Sequence, residues 1–284
     1  MTSILSDIFS PTSLQTIGAI LAVMAVLAIV ETAIPLHARG KGNRAHLAPN
    51  LFLTFLTFAT NIVLNAGLVG GLIWLEAKGG GLLNWYALSP LTEVIVVLLV
   101  LDFSFYVAHV AMHKVPAFWR YHQVHHSDPA VDVTTTIRQH PGESLIRYGF
   151  LAAFAFALGA SPAAFAVYRS WSAINGLIEH SNIRVPQWLD TTLALVTTFP
   201  NMHKVHHSRN PSETDSNYSN IFSIWDRLFL TYTPSRRGAN IDYGLEGRDA
   251  RRDQTTWGLL AQPYRYRQGR PAPQDLTAEG NARP

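Results

Sequence analysis

Residues 94–113 read VIVVLLVLDFSFYVAHVAMH. An apolar run of bilayer-spanning character carries a single acid, Asp102, and then ends in two histidines four positions apart, His109 and His113. A soluble helix would not be apolar on every face, and a plain membrane anchor would not end in paired imidazoles. The stretch therefore predicts a membrane helix that delivers histidines to one face of a bilayer.

Two further stretches upstream have the same character. Pro11 to Val30 is 20 residues without a charge, and Leu51 to Leu75 is 25 residues interrupted only by Asn61, Asn65 and small side chains. Runs of about 20 apolar residues match the hydrocarbon thickness. The first lacks the basic start and the small-residue cleavage site of a signal peptide, so it reads as a span. Only 14% of the 284 residues are charged, against the roughly 25% usual for soluble proteins. The chain is expected to be an all-α, polytopic integral membrane protein.

Loop charge sets the orientation. HARGKGNRAH (37–46) carries Arg39, Lys41 and Arg44 and no acid, whereas Asp7 precedes the first span and Glu76 and Lys78 follow the second. The positive-inside rule places 37–46 in the cytoplasm, and by parity the third span brings His109 and His113 to that side. Farther on, ESLIRYGFLAAFAFAL (143–158), a GASP break (159–162) and AAFAVYRSWSAINGLIEHS (163–181) form a helical hairpin that enters and returns on one side. Its return carries His180 back to the cytoplasmic histidines. Trp188 to Phe199 is too short to span and is expected at the interface. The architecture has about four membrane-inserted helical units, three spans plus the hairpin, under a cytoplasmic histidine-rich helical cap. It divides into N-terminal transmembrane helices (1–92), a histidine-rich catalytic region (93–235) and a polar C-terminal segment (236–284), disordered from about 263.

The chain has 12 histidines, and six lie in two nearly identical phrases, HQVHH (122–126) and HKVHH (203–207). Spacings of three and four put imidazoles on one helix face, so His122, His125 and His126, and likewise His203, His206 and His207, each converge. With His109 and His113 that makes eight, more than one tetrahedral ion uses; two ions with four or five nitrogens each would use them. Imidazole suits iron, copper, zinc and nickel alike. The absence of cysteine excludes thiolate clusters, disulfides and Cys-based zinc sites. No basic cluster interleaved with aromatics points to nucleic acid.

Asp102, Tyr106, His109 and His113 form one helical stripe. Asp102 is expected to accept the outer ring N–H of a metal-bound histidine, with Tyr106 beside it; pairing with a basic group at the interface is the alternative. Asn217 and Tyr218 are candidates for the substrate entrance, with interfacial packing the equal alternative. Trp119, Arg120, Asp226 and Arg227 could form a cytoplasmic cap, and are expected rather to hold the fold by packing and ion pairing. Glu143 and Glu179 are candidate outer carboxylates, Glu143 equally a helix cap.

DFSFYVAHVAMH (102–113), FWRYHQVHHS (118–127), TTTIRQHPGE (134–143) and HKVHHSRNPSETDSNYSNIFSIWDRLFLTY (203–232) resemble the fatty acid hydroxylase/sterol desaturase superfamily over residues 93–235. They look most like its alkylglycerol monooxygenase branch. The resemblance implies a non-haem di-iron centre held by the histidine boxes and an additional histidine ahead of the last box, where His180 stands. It also brings in His140 as a candidate ligand, although a helix-starting HPxE turn explains that residue equally well. The implied activity is O2-dependent hydroxylation, or desaturation, of a membrane lipid. Two electrons must come from a separate reductase, ferredoxin, cytochrome or pterin, since no GxGxxG fingerprint follows a strand. The expected location is a membrane, with a bacterial inner membrane suggested by the alanine-rich spans. Two rivals are a membrane zinc hydrolase, for which no HExxH is present, and a metal or haem carrier.

Overall fold

The computed structural model describes residues 11–38, 44–236 and 241–265, with side chains from residue 15 onward. Within them the secondary structure is helical, with isolated β-bridges and no strand. The basic residues Arg39 and Lys41 and the polar tail from 266 lie outside the described residues.

Helices α1 (Pro11–Ala33), α2 (Leu47–Ala77) and α3 (Pro90–Lys114) are long and apolar enough to cross a membrane. Helix α3 starts where Ser89 accepts a hydrogen bond from the Thr92 amide and Pro90 occupies the first turn. It stops at Val115, which also begins α4 (Pro116–His126). Pro116 has no N–H to continue the α3 ladder, so the chain breaks there and starts a new helix at once. That break lets α4 turn back on α3, bringing His109 and His113 together with HQVHH.

Helices α5 (Pro141–Leu158) and α6 (Pro162–His180) form the expected hairpin. Gly159 closes α5 at φ 70°, a left-handed conformation natural to glycine, and Ser161 caps α6. Gly159 abuts Gly81, and the Ser161 amide donates to Glu93 Oε1 at 3.2 Å. The hairpin thus extends to the far ends of α2 and α3.

Leu68 and Leu72 of α2, Val97 and Leu101 of α3, Leu151 and Ala155 of α5, and Phe165 and Tyr168 of α6 make the main core. At the opposite end, Leu36 and Arg184 exchange backbone hydrogen bonds with Asn182 and Ile34. The end of α1 therefore lies beside the end of α6. Short helices α7 (Gln187–Leu193), α8 (Pro200–His206), α9 (Pro211–Thr214) and α10 (Ile224–Leu228) follow. A last helix, α11 (Thr256–Arg265), packs Leu259 against Leu53 and Val124. Residues 241–265 of the C-terminal segment are thus structured, and α11 is part of the support for α4.

Candidate metal centre

All nine histidines expected as ligands are buried and meet in one place. They divide into His109, His113, His122, His126 and His206 on one side, and His125, His180, His203 and His207 on the other. Within each group the ring nitrogens lie within 4.8 Å of one another. The division does not follow the phrases. HQVHH gives His122 and His126 to the first group and His125 to the second; HKVHH gives His203 and His207 to the second and His206 to the first. Each phrase lends one ring to its counterpart's group.

The nitrogens are spaced as ligands of a common ion. His180, His203 and His207 form an Nε2 triangle of 3.0, 3.2 and 3.2 Å, and His125 Nε2 lies 3.1 Å from His180 Nε2. In the other group His122 Nε2 is 3.1 Å from His109 Nε2 and 3.2 Å from His126 Nε2. Adjacent ligands at metal–nitrogen distances of roughly 2.1 Å are separated by about 3.0 Å at right angles. Three imidazole nitrogens cannot all hydrogen-bond within such a triangle, since each neutral ring has one N–H. Burial first, and then the neighbouring imidazoles, hold His125, His126, His203 and His207 well below the ordinary histidine value, in the neutral form that binds metal. The donor set fits two cations with nitrogen-rich coordination.

The opposite ring nitrogens fix this presentation. His109 Nδ1 donates to the Tyr218 carbonyl at 2.7 Å, His206 Nδ1 to the Ser216 carbonyl at 2.7 Å, and His180 Nδ1 to the Gly176 carbonyl at 2.8 Å. A carbonyl only accepts, so the proton sits on Nδ1 and the Nε2 lone pair faces the centre. Glu143 Oε1 lies 3.1 Å from His122 Nδ1, and Asp215 Oδ1 lies 3.3 Å from His113 Nδ1. Glu143 is thus an outer carboxylate as well as a first-turn acid of α5. Glu179 Oε1 is more distant, 3.7 Å from His180 Nδ1 and 3.8 Å from His203 Nε2.

Asp102 departs from its expected role. Its carboxylate accepts the amides of Ile221 at 3.0 Å and Phe222 at 2.9 Å, and the Trp225 indole N–H at 3.0 Å. These bonds go to backbone and indole, not to a histidine ring. Asp226 does the same work nearby, accepting the Tyr218 and Ser219 amides at 2.8 and 2.9 Å. The two acids clamp a strap, residues 215–223, whose carbonyls orient His109 and His206. Tyr106 also makes no hydrogen bond to a histidine: its hydroxyl meets Thr231 Oγ1 at 2.9 Å, and its ring packs on Phe229.

Tyr218 is fully buried, with its ring against His109, His113 and His206. It is a wall of the centre. Asn217 takes φ 54° and bonds Met202 and Thr233, in keeping with the packing alternative. Trp119 packs on His113 and His126, Arg120 on the Tyr121 ring, and Arg227 on the Tyr232 ring while donating to the Ala194 carbonyl at 2.9 Å, so packing and hydrogen bonds hold these residues. His140 belongs to neither group; its Nδ1 accepts the Gly142 amide at 3.0 Å and caps α5.

Three supports were not anticipated. Lys204, the residue distinguishing HKVHH from HQVHH, is fully buried and donates to the carbonyls of Ser181 at 2.8 Å and His180 at 3.2 Å. Arg138, also fully buried, donates to the Val124 carbonyl at 2.9 Å and to Asn50 Oδ1 at 2.7 Å. His46 pairs with Asp128 at 3.1 Å and Asp132 at 3.3 Å, just past HQVHH. The only advance signal was a cationic residue within an apolar or histidine-rich setting.

The fatty acid hydroxylase family model matches residues 94–231, which contain all nine histidines. The chain is 36% identical over 148 residues to an alkylglycerol monooxygenase of Caenorhabditis elegans, covering 51% of this chain and 28% of that protein. It is 30% identical over 178 residues to the ornithine lipid hydroxylase OlsE of Rhizobium tropici, covering 63% and 52%. It is 30% identical over 138 residues to a cholesterol 25-hydroxylase-like protein of Danio rerio, covering 47% and 53%. The matches thus span between about a quarter and a half of the length of these relatives. No solved structure matches.

Proposed function

We infer, from a region of residues 94–231 that belongs to the fatty acid hydroxylase family, that this chain is an integral membrane, O2-dependent lipid hydroxylase. The observation that carries the reading is the pair of buried imidazole groups, five and four, with converging Nε2 atoms. Two iron ions held by His109, His113, His122, His126 and His206, and by His125, His180, His203 and His207, would supply the activation of O2 needed to oxidise an unreactive C–H bond. The redox electrons come from outside, from a reductase, ferredoxin, cytochrome or pterin.

The chain's own residues do the holding and shielding. The carbonyls of Gly176, Ser216 and Tyr218 keep three ligand rings in the metal-binding tautomer, and Glu143 and Asp215 accept from two more. The Tyr218 and Trp119 rings cover the first group and keep water from it. An all-nitrogen site without thiols resists the oxidant it would serve. The region 93–235 is the catalytic unit, the helices before it anchor and support it, and 236–284 follows as a C-terminal segment.

The location we propose is a bacterial inner membrane, with the histidine boxes under a cytoplasmic cap. The ends of α1, α3 and α6 and the start of α2 share one side with the boxes, which supports the parity argument from the 37–46 loop. The relatives' names share one substrate chemistry, a polar head joined to a hydrophobic body. We extend that class to this chain, with hydroxylation as the reaction and desaturation as the other outcome of the same test.

Protein purified from iron-replete cells is expected to contain about two irons per chain and no Soret band. Given reductant and a membrane lipid extract, it should consume O2 and yield lipids heavier by one oxygen atom. A product lighter by two hydrogens would assign desaturation. Activity restored to the metal-free protein by zinc and not by iron would overturn the oxygenase reading in favour of a hydrolase.

A further inference from the structure

A large apolar surface lies outside the three candidate spans. Trp188, Leu195, Val196, Ile224, Leu228 and Leu230 are all exposed, Leu230 at 92% with φ 58°. They are neighbours in space, because the Ser223 amide donates to the Val196 carbonyl and Arg227 donates to the Ala194 carbonyl at 2.9 Å. Charge is withdrawn from this surface. Within 188–199 and 221–230 the charged residues are Asp190 and Asp226, both buried, and Arg227, folded over the Tyr232 ring at 4.0 Å.

The position of this surface along α3 identifies what covers it. Trp225 and Phe229 pack on Phe103 at ring separations of 5.0 and 5.6 Å, and Asp102 holds Ile221 and Phe222. Phe103 precedes His113 by ten residues, about 15 Å of helix. The surface therefore sits beside the middle of a candidate span, not level with its histidine-bearing end. Six exposed, bulky apolar side chains at that level, next to a span and without charge, match acyl chains and not water.

We propose that residues 188–196 and 224–230 form a lip embedded in the acyl layer of one leaflet, making the third-box segment a membrane-inserted part of the protein. The lip joins the centre directly: Phe229 stacks on Tyr106, Tyr106 meets Tyr218 edge-on, and Tyr218 touches three ligand histidines. Acyl chains thus lie two aromatic rings from the first imidazole group's wall.

The chain contains no cysteine, so single cysteines can be labelled without background. Leu230→Cys and Val196→Cys, labelled with bimane, are placed in vesicles of phosphatidylcholine carrying bromine along its acyl chains. Bimane emission is expected to fall several-fold relative to unbrominated vesicles and to resist aqueous iodide. Ile95→Cys, on the exposed face of α3, should behave the same way, and Arg251→Cys should respond to iodide alone. Quenching of the Leu230 and Val196 labels by iodide would overturn the lip, leaving a protein partner as the occupant in cells. Protection from both quenchers would also overturn it, in favour of a second copy of the chain. Failure of the Ile95 label to respond to brominated lipid would instead remove the membrane reading on which the lip rests.

Discussion

Single residues decide which imidazole reaches which group. The i, i+3, i+4 spacing made every box histidine legible as a candidate ligand, because these positions share a helix face. The same spacing could not assign them, since all three rings lie within about a quarter-turn of one another. Tertiary placement sends His125 and His206 across. His206→Ala should therefore weaken the group otherwise built from the first two phrases, and His125→Ala the group built around HKVHH. Metal analysis should show that each lowers occupancy as strongly as loss of a ligand from the group's own segment. Lys204 also acts at this scale. A buried ammonium on the last carbonyls of α6 complements the negative end of that helix and fixes His180 beside HKVHH. Lys204→Met is expected to bring metal content from about two ions per chain towards one, with the group containing His109 and His113 still occupied. Loss of both ions together would instead assign Lys204 a general structural role.

At the scale of elements, the spans, the hairpin and its Gly159 break were legible because apolar length and Gly–Pro punctuation are local signals. The strap was not. Asp102 was singled out as an acid deep in a span, yet its partners lie 119 and 120 positions away, and no spacing rule reaches that far. Its role is to hold backbone amides so that the Tyr218 and Ser216 carbonyls can orient His109 and His206. Asp102→Asn would put amide hydrogens against donors. It should lower stability by about 1–3 kcal/mol, seen in thermal unfolding of the metal-free protein. The strap's displacement should also weaken metal binding by roughly 10–100-fold at the His109 group, as measured by competition with a chelator. The C-terminal helix was missed for a related reason: it is short and follows a polar stretch, and its ties to the centre, Leu259 against Leu53 and Val124 and Gln262 Nε2 to Ser127 Oγ at 3.3 Å, are made with residues more than 130 positions away.

For the whole molecule, His46 shows how a loop residue of no evident consequence becomes a stabilising group. Burial would lower its pKa, but Asp128 and Asp132 outweigh that and raise it to about 9. The folded-state value lies above the unfolded one, so the contribution is complete below about pH 6.5 and is lost as pH rises through about 9. Urea unfolding of the metal-free protein should show stability falling across that window. His46→Gln should lower stability at pH 6 by about 3 kcal/mol and flatten the dependence.

The reciprocal loan of His125 and His206 has a mechanical consequence. Each ion would act as a cross-link between segments about 80 residues apart, and the two cross-links are interlocked: neither can be released by moving one phrase alone. Loop closure of that length removes substantial freedom from the unfolded chain. The loaded protein should therefore come apart as one piece, whereas the metal-free protein can let the 200–232 segment peel from α3 and α4 while the spans stay folded. A protease that nicks the metal-free form within that segment and leaves the iron-loaded form whole would display the clasp directly.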